Sequence, residues 1–274
     1  MKKDPVTLIA TIVIWLCVGF LALEALHFGR RALVCDRFVV RGSSMTPTFE
    51  AGQGVWVRKY LMGPRIYKHF KFEAGEPLRC FRLPGFRRLQ AGDIAVFNSP
   101  EGWGNTKEVT FQLNYVYAKR CLGAPGDTVG ARGCHYYSSG ADPVGIPEEK
   151  ESQLRATPDS VLTGQGLEAG QFAGFHDHWT IRDFGPLVVP QQGMTLRLDS
   201  LSVRLYAKSI AFEAGSRPEW SGGQAWLDGQ PLAEYTFRKN WYFFVGDNVV
   251  DSRDSRYLGF VPEEFVVGIV AKRK

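Results

Sequence analysis

The sequence predicts a mostly β body carried behind a single membrane-spanning helix at the N-terminus. Three observations lead there. Residues 6–23, VTLIATIVIWLCVGFLAL, contain no charge; beyond residue 30 the apolar residues fall in short runs of β-branched and aromatic type; and 30 Gly and 15 Pro separate those runs with turns. As a helix the uncharged stretch is about 27 Å long, close to the thickness of a bilayer's hydrocarbon. A removable secretory signal is the competing expectation, but its apolar region is normally shorter and ends in an A-x-A-like site, which LALEALHFGRR lacks. Lys2 and Lys3 on one side face His27, Arg30, Arg31 and Arg37 on the other, so the positive charges alone do not orient the helix.

The expected strands are RFVVRG, GVWVRKY, DIAVFN, VTFQLNYVYAKRCLG, DTVGA, PLVVP, MTLRLDS, SVRLYA, QAWLDGQPL, NWYFFVGD and FVVGIVA. Each is rich in residues that suit a pleated surface and is bounded by Gly, Pro, Asp or Asn. Asp228-Gly229 marks a hairpin turn, and 138–153, SSGADPVGIPEEKESQ, reads as a surface connection. The expected division is an anchor and flank at 1–31, a β core at 32–130 that resumes at 238–274, and an inserted β-rich cap at 131–237.

Composition excludes little but weighs on partners. With 45% hydrophobic and 22% charged residues the chain is ordinary for a globular protein, and 33 Lys and Arg against 28 Asp and Glu leave +5, too mild to mark a nucleic-acid binder. The charge is uneven, however: Arg58 to Arg88 holds nine Lys/Arg against Glu73 and Glu76, interleaved with Tyr60, Tyr67, Phe70, Phe72, Phe81 and Phe86. Such a segment suits a lipid bilayer's headgroups; a solvated basic loop is the alternative. Cys35, Cys80, Cys121 and Cys134 lie beyond the anchor without metal-type spacing, leaving one disulfide, nearest in sequence between Cys121 and Cys134, or free buried thiols.

Three stretches carry residues suited to chemistry. In Gly42-Ser43-Ser44-Met45-Thr46-Pro47, glycine and proline frame a turn that can hold a serine hydroxyl at a cleft. A serine needs a base, and His27, His69, His135, His176 and His178 all fall outside core-like motifs. Tyr117-Ala118-Lys119-Arg120-Cys121 is strand-like, so Lys119 and Arg120 point to opposite faces and one can be desolvated into a neutral base while the other stays solvated. Asp247 to Phe260 is a polar loop in which Asp254 and Arg256 can pair. His176 and His178 in FHDHW form a weaker candidate for metal, with no third ligand evident.

Together, VRGSSMTPT, AGDIAVF, YAKRCLGAPGD and GDN followed by DSRDSRYLGFVP resemble, in order and behind an anchor, the type I signal peptidases, membrane-anchored serine proteases with a Ser/Lys dyad. The matching motifs cover about a quarter of the chain. The resemblance implies a β-rich catalytic core of signal-peptidase type, Ser44 as nucleophile and Lys119 as general base, without a cofactor or metal. It implies Ser252 bonded to Lys119, Asp254 and Arg256 holding the loop with Asp247 near it, Met45 and Pro47 at the substrate groove, and the Ser44 N–H as an oxyanion donor. Gly42 stands where some relatives add a serine hydroxyl. The implied partners are exported preproteins and the bilayer, with no nucleic acid, and the implied location is a bacterial inner membrane, single-pass, with the catalytic body on the periplasmic face. A soluble repressor-type autoprotease, which lacks an anchor, and an inactive tethered binding protein are the alternatives.

Overall fold

The computed structural model describes residues 4–68, 78–101, 108–164 and 179–271. Helix α1 (Pro5–Gly29) starts where Asp4 caps the Val6 N–H and Pro5 occupies the first turn, and passes through a π-helical turn (Arg30–Val34). Within the helical span Val6–Val34 an 18-residue window has a mean hydropathy of 2.6, and none of that window is buried in the body, which leaves it free for lipid.

The body follows as β1 (Cys35–Val39), β2 (Gly54–Arg58), α2 (Lys59–Met62), β3 (Arg65–Tyr67), β4 (Cys80–Arg82), β5 (Ile94–Asn98), β6 (Val116–Gly123), β7 (Thr128–Arg132) and β8 (His135–Ser138). Helices α3 (Glu148–Ala156) and α4 (Asp159–Gly164), β9 (Phe184–Val188), β10 (Thr195–Arg197), helix α5 (Ser200–Ala214), β11 (Glu219–Ser221), β12 (Gln224–Leu227), β13 (Gln230–Pro231) and β14 (Glu234–Thr236) come next. The chain closes with β15 (Trp241–Val245), α6 (Ser255–Leu258), β16 (Val261–Pro262) and β17 (Val266–Val270).

Seven strands form one antiparallel sheet in the order β1-β2-β17-β5-β6-β15-β16, curled so that β1 and the start of β6 face each other across a cleft. Alternation sorts its side chains between two cores. Ala95, Phe97, Cys121, Phe244 and Phe265 gather on one face, Val40, Val55, Val57, Val96 and Val267 on the other. A sheet covered on both faces explains why Trp241 to Val245 reads as an unbroken apolar run rather than an alternating one. Between β6 and β15 the chain builds a β8-β7-β9 sheet, two smaller sheets and helices α3 to α5 around a third apolar cluster.

Several expected elements differ. SVRLYA is part of helix α5, not a strand: Asp199 and Ser202 form a reciprocal cap and Gly215, with φ 87°, ends it. Of the expected 138–153 connection, residues 148–153 are the start of helix α3. VTFQLNYVYAKRCLG is a strand only from Val116, because the carbonyls of Gln112 and Leu113 are taken by the Asn98 side chain. MTLRLDS contributes only Thr195–Arg197. The Asp228-Gly229 turn does join two paired strands, and Asp228 takes the left-handed conformation such turns require. All five cysteines are free thiols; Cys121 and Cys134 belong to different buried clusters.

Candidate active site

Ser44 sits on the turn that follows β1, half-exposed at the cleft floor. The turn is rigid because its next residues go inward: Met45 and Phe49 are buried beside Val40 and Val55. Lys119 reaches the same point from β6, and its Nζ is in hydrogen-bond contact with Ser44 Oγ. Only 2% of Lys119 is exposed. Burial is the main force on its amine and lowers its pKa from the ordinary 10.5 to about 8, against the opposing charge of Asp254 and with help from Arg256. The Tyr117 ring lies 5.7 Å from Nζ, two residues away on the same face of the strand.

The loop from Gly246 to Asp254 holds both partners. The Asn248 N–H donates to the Ser44 carbonyl at 3.0 Å, Asn248 Nδ2 to the Ser43 carbonyl at 3.2 Å, and Ser43 Oγ to Asp251. Asp254 is completely buried and accepts from the Gly246 N–H (2.9 Å), Ser252 Oγ (2.6 Å) and, side-on, from Nε and Nη2 of Arg256 (2.8 and 2.9 Å). Burial alone would raise the Asp254 carboxyl's pKa, but Arg256 and then Lys119 hold it below the usual carboxylate range. Ser252 therefore spends its proton on Asp254; no hydrogen bond from it to Lys119 is formed among the described contacts.

The expectation that one of Lys119 and Arg120 stays solvated fails, because both faces of β6 are covered. Arg120 is 9% exposed and makes a two-pronged ion pair with Asp247 at 2.7 and 2.6 Å. Asp247 also accepts from Thr48 Oγ1, and Arg120 Nη1 donates to the Gly92 carbonyl. This clamp ties the serine's turn to the lysine's strand, and sequence reasoning missed it. Once both faces of β6 are covered, an arginine pointing opposite to the candidate base needs a carboxylate, but that burial is not readable from the strand's own residues.

The cleft encloses about 670 Å³ and is walled by Phe38, Val40, Val55, Val96, Tyr117 and Ala118, with Arg41 and Arg253 among its rim residues. Neither Met45 nor Pro47 is part of that wall: Met45 is wholly buried beneath the turn and Pro47 is exposed away from the cleft. Among the described residues, two strand edges that bound it are unpaired. β1 pairs only with β2, and β6 pairs with β15 only from Arg120 onward. Among the described residues no group of three or more His, Cys, Asp or Glu could hold a metal; His69, His176 and His178 lie outside them.

Gly246 gives the tightest test of this packing. A Cβ there would clash with Ser252 Oγ and lie 2.5 Å from the Ser44 carbonyl oxygen, a backbone atom that cannot swing away. Gly246→Ala is expected to shift the Ser44 turn and lower any reaction at the Ser44 hydroxyl by about 100-fold, the cost of displacing a reacting group by roughly 1 Å. The activity of the purified variant, compared with wild type at equal folded fraction, checks this.

A buried amine in contact with a hydroxyl at the floor of a groove is an arrangement in which the amine, when neutral, can accept the hydroxyl's proton. A family model described as signal peptidase, peptidase S26, matches residues 8–273. The signal peptidase I of Buchnera aphidicola is 23% identical over 252 residues, covering 88% of this chain and 68% of the relative, and that of Pseudomonas fluorescens is 26% identical, covering 87% and 64%. A crystal structure of a signal peptidase I from Enterococcus faecalis shares 21% identity over 67% of this chain and 97% of that one, with a TM-score of 0.29. The chain belongs to the signal peptidase family, peptidase S26.

Proposed function

We propose that this chain is a membrane-bound serine endopeptidase that removes N-terminal signal peptides from exported preproteins. The observation that carries the reading is the contact between Ser44 Oγ and Lys119 Nζ inside a peptide-sized cleft. Neutral Lys119 takes the proton from Ser44 as Oγ attacks the carbonyl after a small residue. The lysine then gives that proton to the leaving amine as the C–N bond breaks; neutral again, Lys119 deprotonates the water that attacks the acyl-enzyme and passes the proton to Ser44 Oγ as the ester C–O bond breaks. The Ser44 N–H has no partner among the described hydrogen bonds and supplies one donor to the developing oxyanion. An extended substrate pairs with the free edges of β1 and β6, and the walls of Val40, Val55, Val96 and Ala118 favour small side chains beside the scissile bond.

Helix α1 keeps enzyme and substrate in one membrane plane, with the catalytic body on the periplasmic side of a bacterial inner membrane. Residues 131–237 form a cap inserted into the catalytic core. Incubation of the full chain in detergent with a serine-acylating probe tests the reading: labelling at Ser44, faster with rising pH, is expected. Labelling that ignores Ser44→Ala, or no cleavage of a preprotein at its A-x-A-like site, overturns it.

A further inference from the structure

A second pocket, of about 240 Å³, lies between the β3–β4 hairpin and the turn that joins β16 to β17, lined by Arg65, Cys80, Arg82, Arg238, Lys239, Glu263 and Glu264 among others. Its charge is unbalanced, four cations to two carboxylates, and the carboxylates are already engaged. Glu264 pairs with Lys239 at 2.5 Å, and Glu263 accepts from Asn240 and Tyr242. The two arginines of the hairpin touch no carboxylate among the described residues. Arg65 donates to the carbonyls of Glu264 and Phe265 and to Asn98 Oδ1, and Arg82 to the carbonyls of Gly63, Glu263 and Val266. Burial pushes the pKa of both guanidinium groups down, opposed at Arg65 by Tyr67 and at Arg82 by Glu263, while the Arg82 charge lowers that of Arg65 further. Glu263 is the nearest opposing charge to Arg82, so among the described residues the pocket keeps an excess of two cations, which an anion would balance.

The location favours one source of that anion. Cys35, the first strand residue after the anchor, is level with Arg58 of β2, and Arg58 is level with Ile269 of β17. From Ile269 back to Val266 the strand runs past Arg58 toward the anchor's side of the sheet by about 10 Å. Arg82 holds the Val266 carbonyl, so the pocket caps the sheet at the end from which the membrane helix departs. Planar guanidinium groups match phosphate oxygens better than any other common anion at a bilayer surface.

We propose that the pocket between the β3–β4 hairpin and Glu263–Glu264 binds a phosphate oxyanion, supplied by the headgroup of an anionic membrane lipid. Arg65 and Arg82 form its floor, and the side chain of Arg238, exposed and without a described partner, closes it from the rim.

The half-buried thiol of Cys80 in the pocket wall reports occupancy. The rate of its alkylation, read by peptide mass so that other thiols do not interfere, is measured on the full chain under paired conditions. One pair is detergent micelles with inorganic phosphate or with chloride at matched ionic strength; the other is nanodiscs of phosphatidylglycerol or of an uncharged glycolipid. At a phosphate concentration five times the dissociation constant, roughly sixfold slowing is expected, with comparable slowing in phosphatidylglycerol and none with chloride or glycolipid. Arg238→Ser, at an exposed position that bears on no packing, is expected to remove the protection; Arg65→Met and Arg82→Met do the same where they fold. Slowing by inorganic phosphate alone overturns the lipid assignment. Equal slowing in Arg238→Ser, or none in either pair, overturns the site itself. The protection is expected to persist in Ser44→Ala, which separates this result from that of the proposed peptidase reaction.

Discussion

Replacing Lys119 by methionine is expected to abolish peptide cleavage while raising the protein's stability at neutral pH. Methionine keeps the length of the side chain and fills the same space, but offers Ser44 no base, so a fall of at least about 1,000-fold is expected, as for loss of a nucleophile's activating partner. The stability change has the opposite sign for a physical reason. Lys119 is almost completely buried, and its amine is lowered from 10.5 to about 8, so below pH 8 the folded state holds a charge it would rather not hold. That preference costs on the order of 3 kcal/mol. Subtracting about 1 kcal/mol for the lost bond to Ser44 leaves a net gain of about 2 kcal/mol, or roughly 4–8 °C in melting temperature. Ser44→Ala is expected to be equally inactive without that gain. A Lys119→Met protein that is inactive but less stable than wild type contradicts the account of the amine as a strained, desolvated group.

The same lowering fixes two pH dependences. As the proposed base, Lys119 works only when neutral, so activity is expected to rise about tenfold per pH unit below 8 and to level off above it, following the fraction of free amine. For stability, the unfolded chain keeps the lysine's proton up to 10.5 while the folded chain sheds it near 8. Within that window the unfolded state binds more protons, so this group's contribution to stability increases with pH; below 8 both states are protonated and the penalty is constant.

How far the sequence revealed these features depended on the range of the interactions involved. The anchor and most strands of the large sheet were legible because their signals are local: an uncharged run of bilayer length, and β-branched runs bounded by turns. Ser44 and Lys119 were assigned through the family resemblance of the ordered motifs that contain them, not from their segments alone, and the structure brings their side chains together. Helix α5 was hidden by the width of the window. Within six residues SVRLYA looks like a strand, yet over fifteen residues Val203, Tyr206, Ala207 and Ile210 recur at helical spacing and are all buried. The Arg120–Asp247–Thr48 clamp was out of reach for another reason: its three residues are far apart in sequence, and nothing local says that both faces of β6 are covered.

Arg256→Met offers the strongest separation of structure from chemistry in the loop. Arg256 and Asp254 are 1% and 0% exposed, and the guanidinium also donates to Tyr136 Oη at 2.8 Å and the Val249 carbonyl at 2.8 Å. Its loss leaves a buried carboxylate without its main counter-charge, which is expected to destabilise the protein by about 3–5 kcal/mol. A purely structural role would end there. Arg256, however, also helps to lower the Lys119 pKa, whereas Asp254 raises it. Removing the arginine while keeping the carboxylate must therefore move the half-maximal pH of cleavage upward from about 8. Asp254→Asn removes the opposing charge and should move it downward in whatever fraction folds. Opposite displacements of the two pH profiles, measured at low temperature where the variants remain folded, are expected if Asp254 and Arg256 set the basicity of Lys119 between them. Profiles that coincide with wild type would confine the pair to holding the loop.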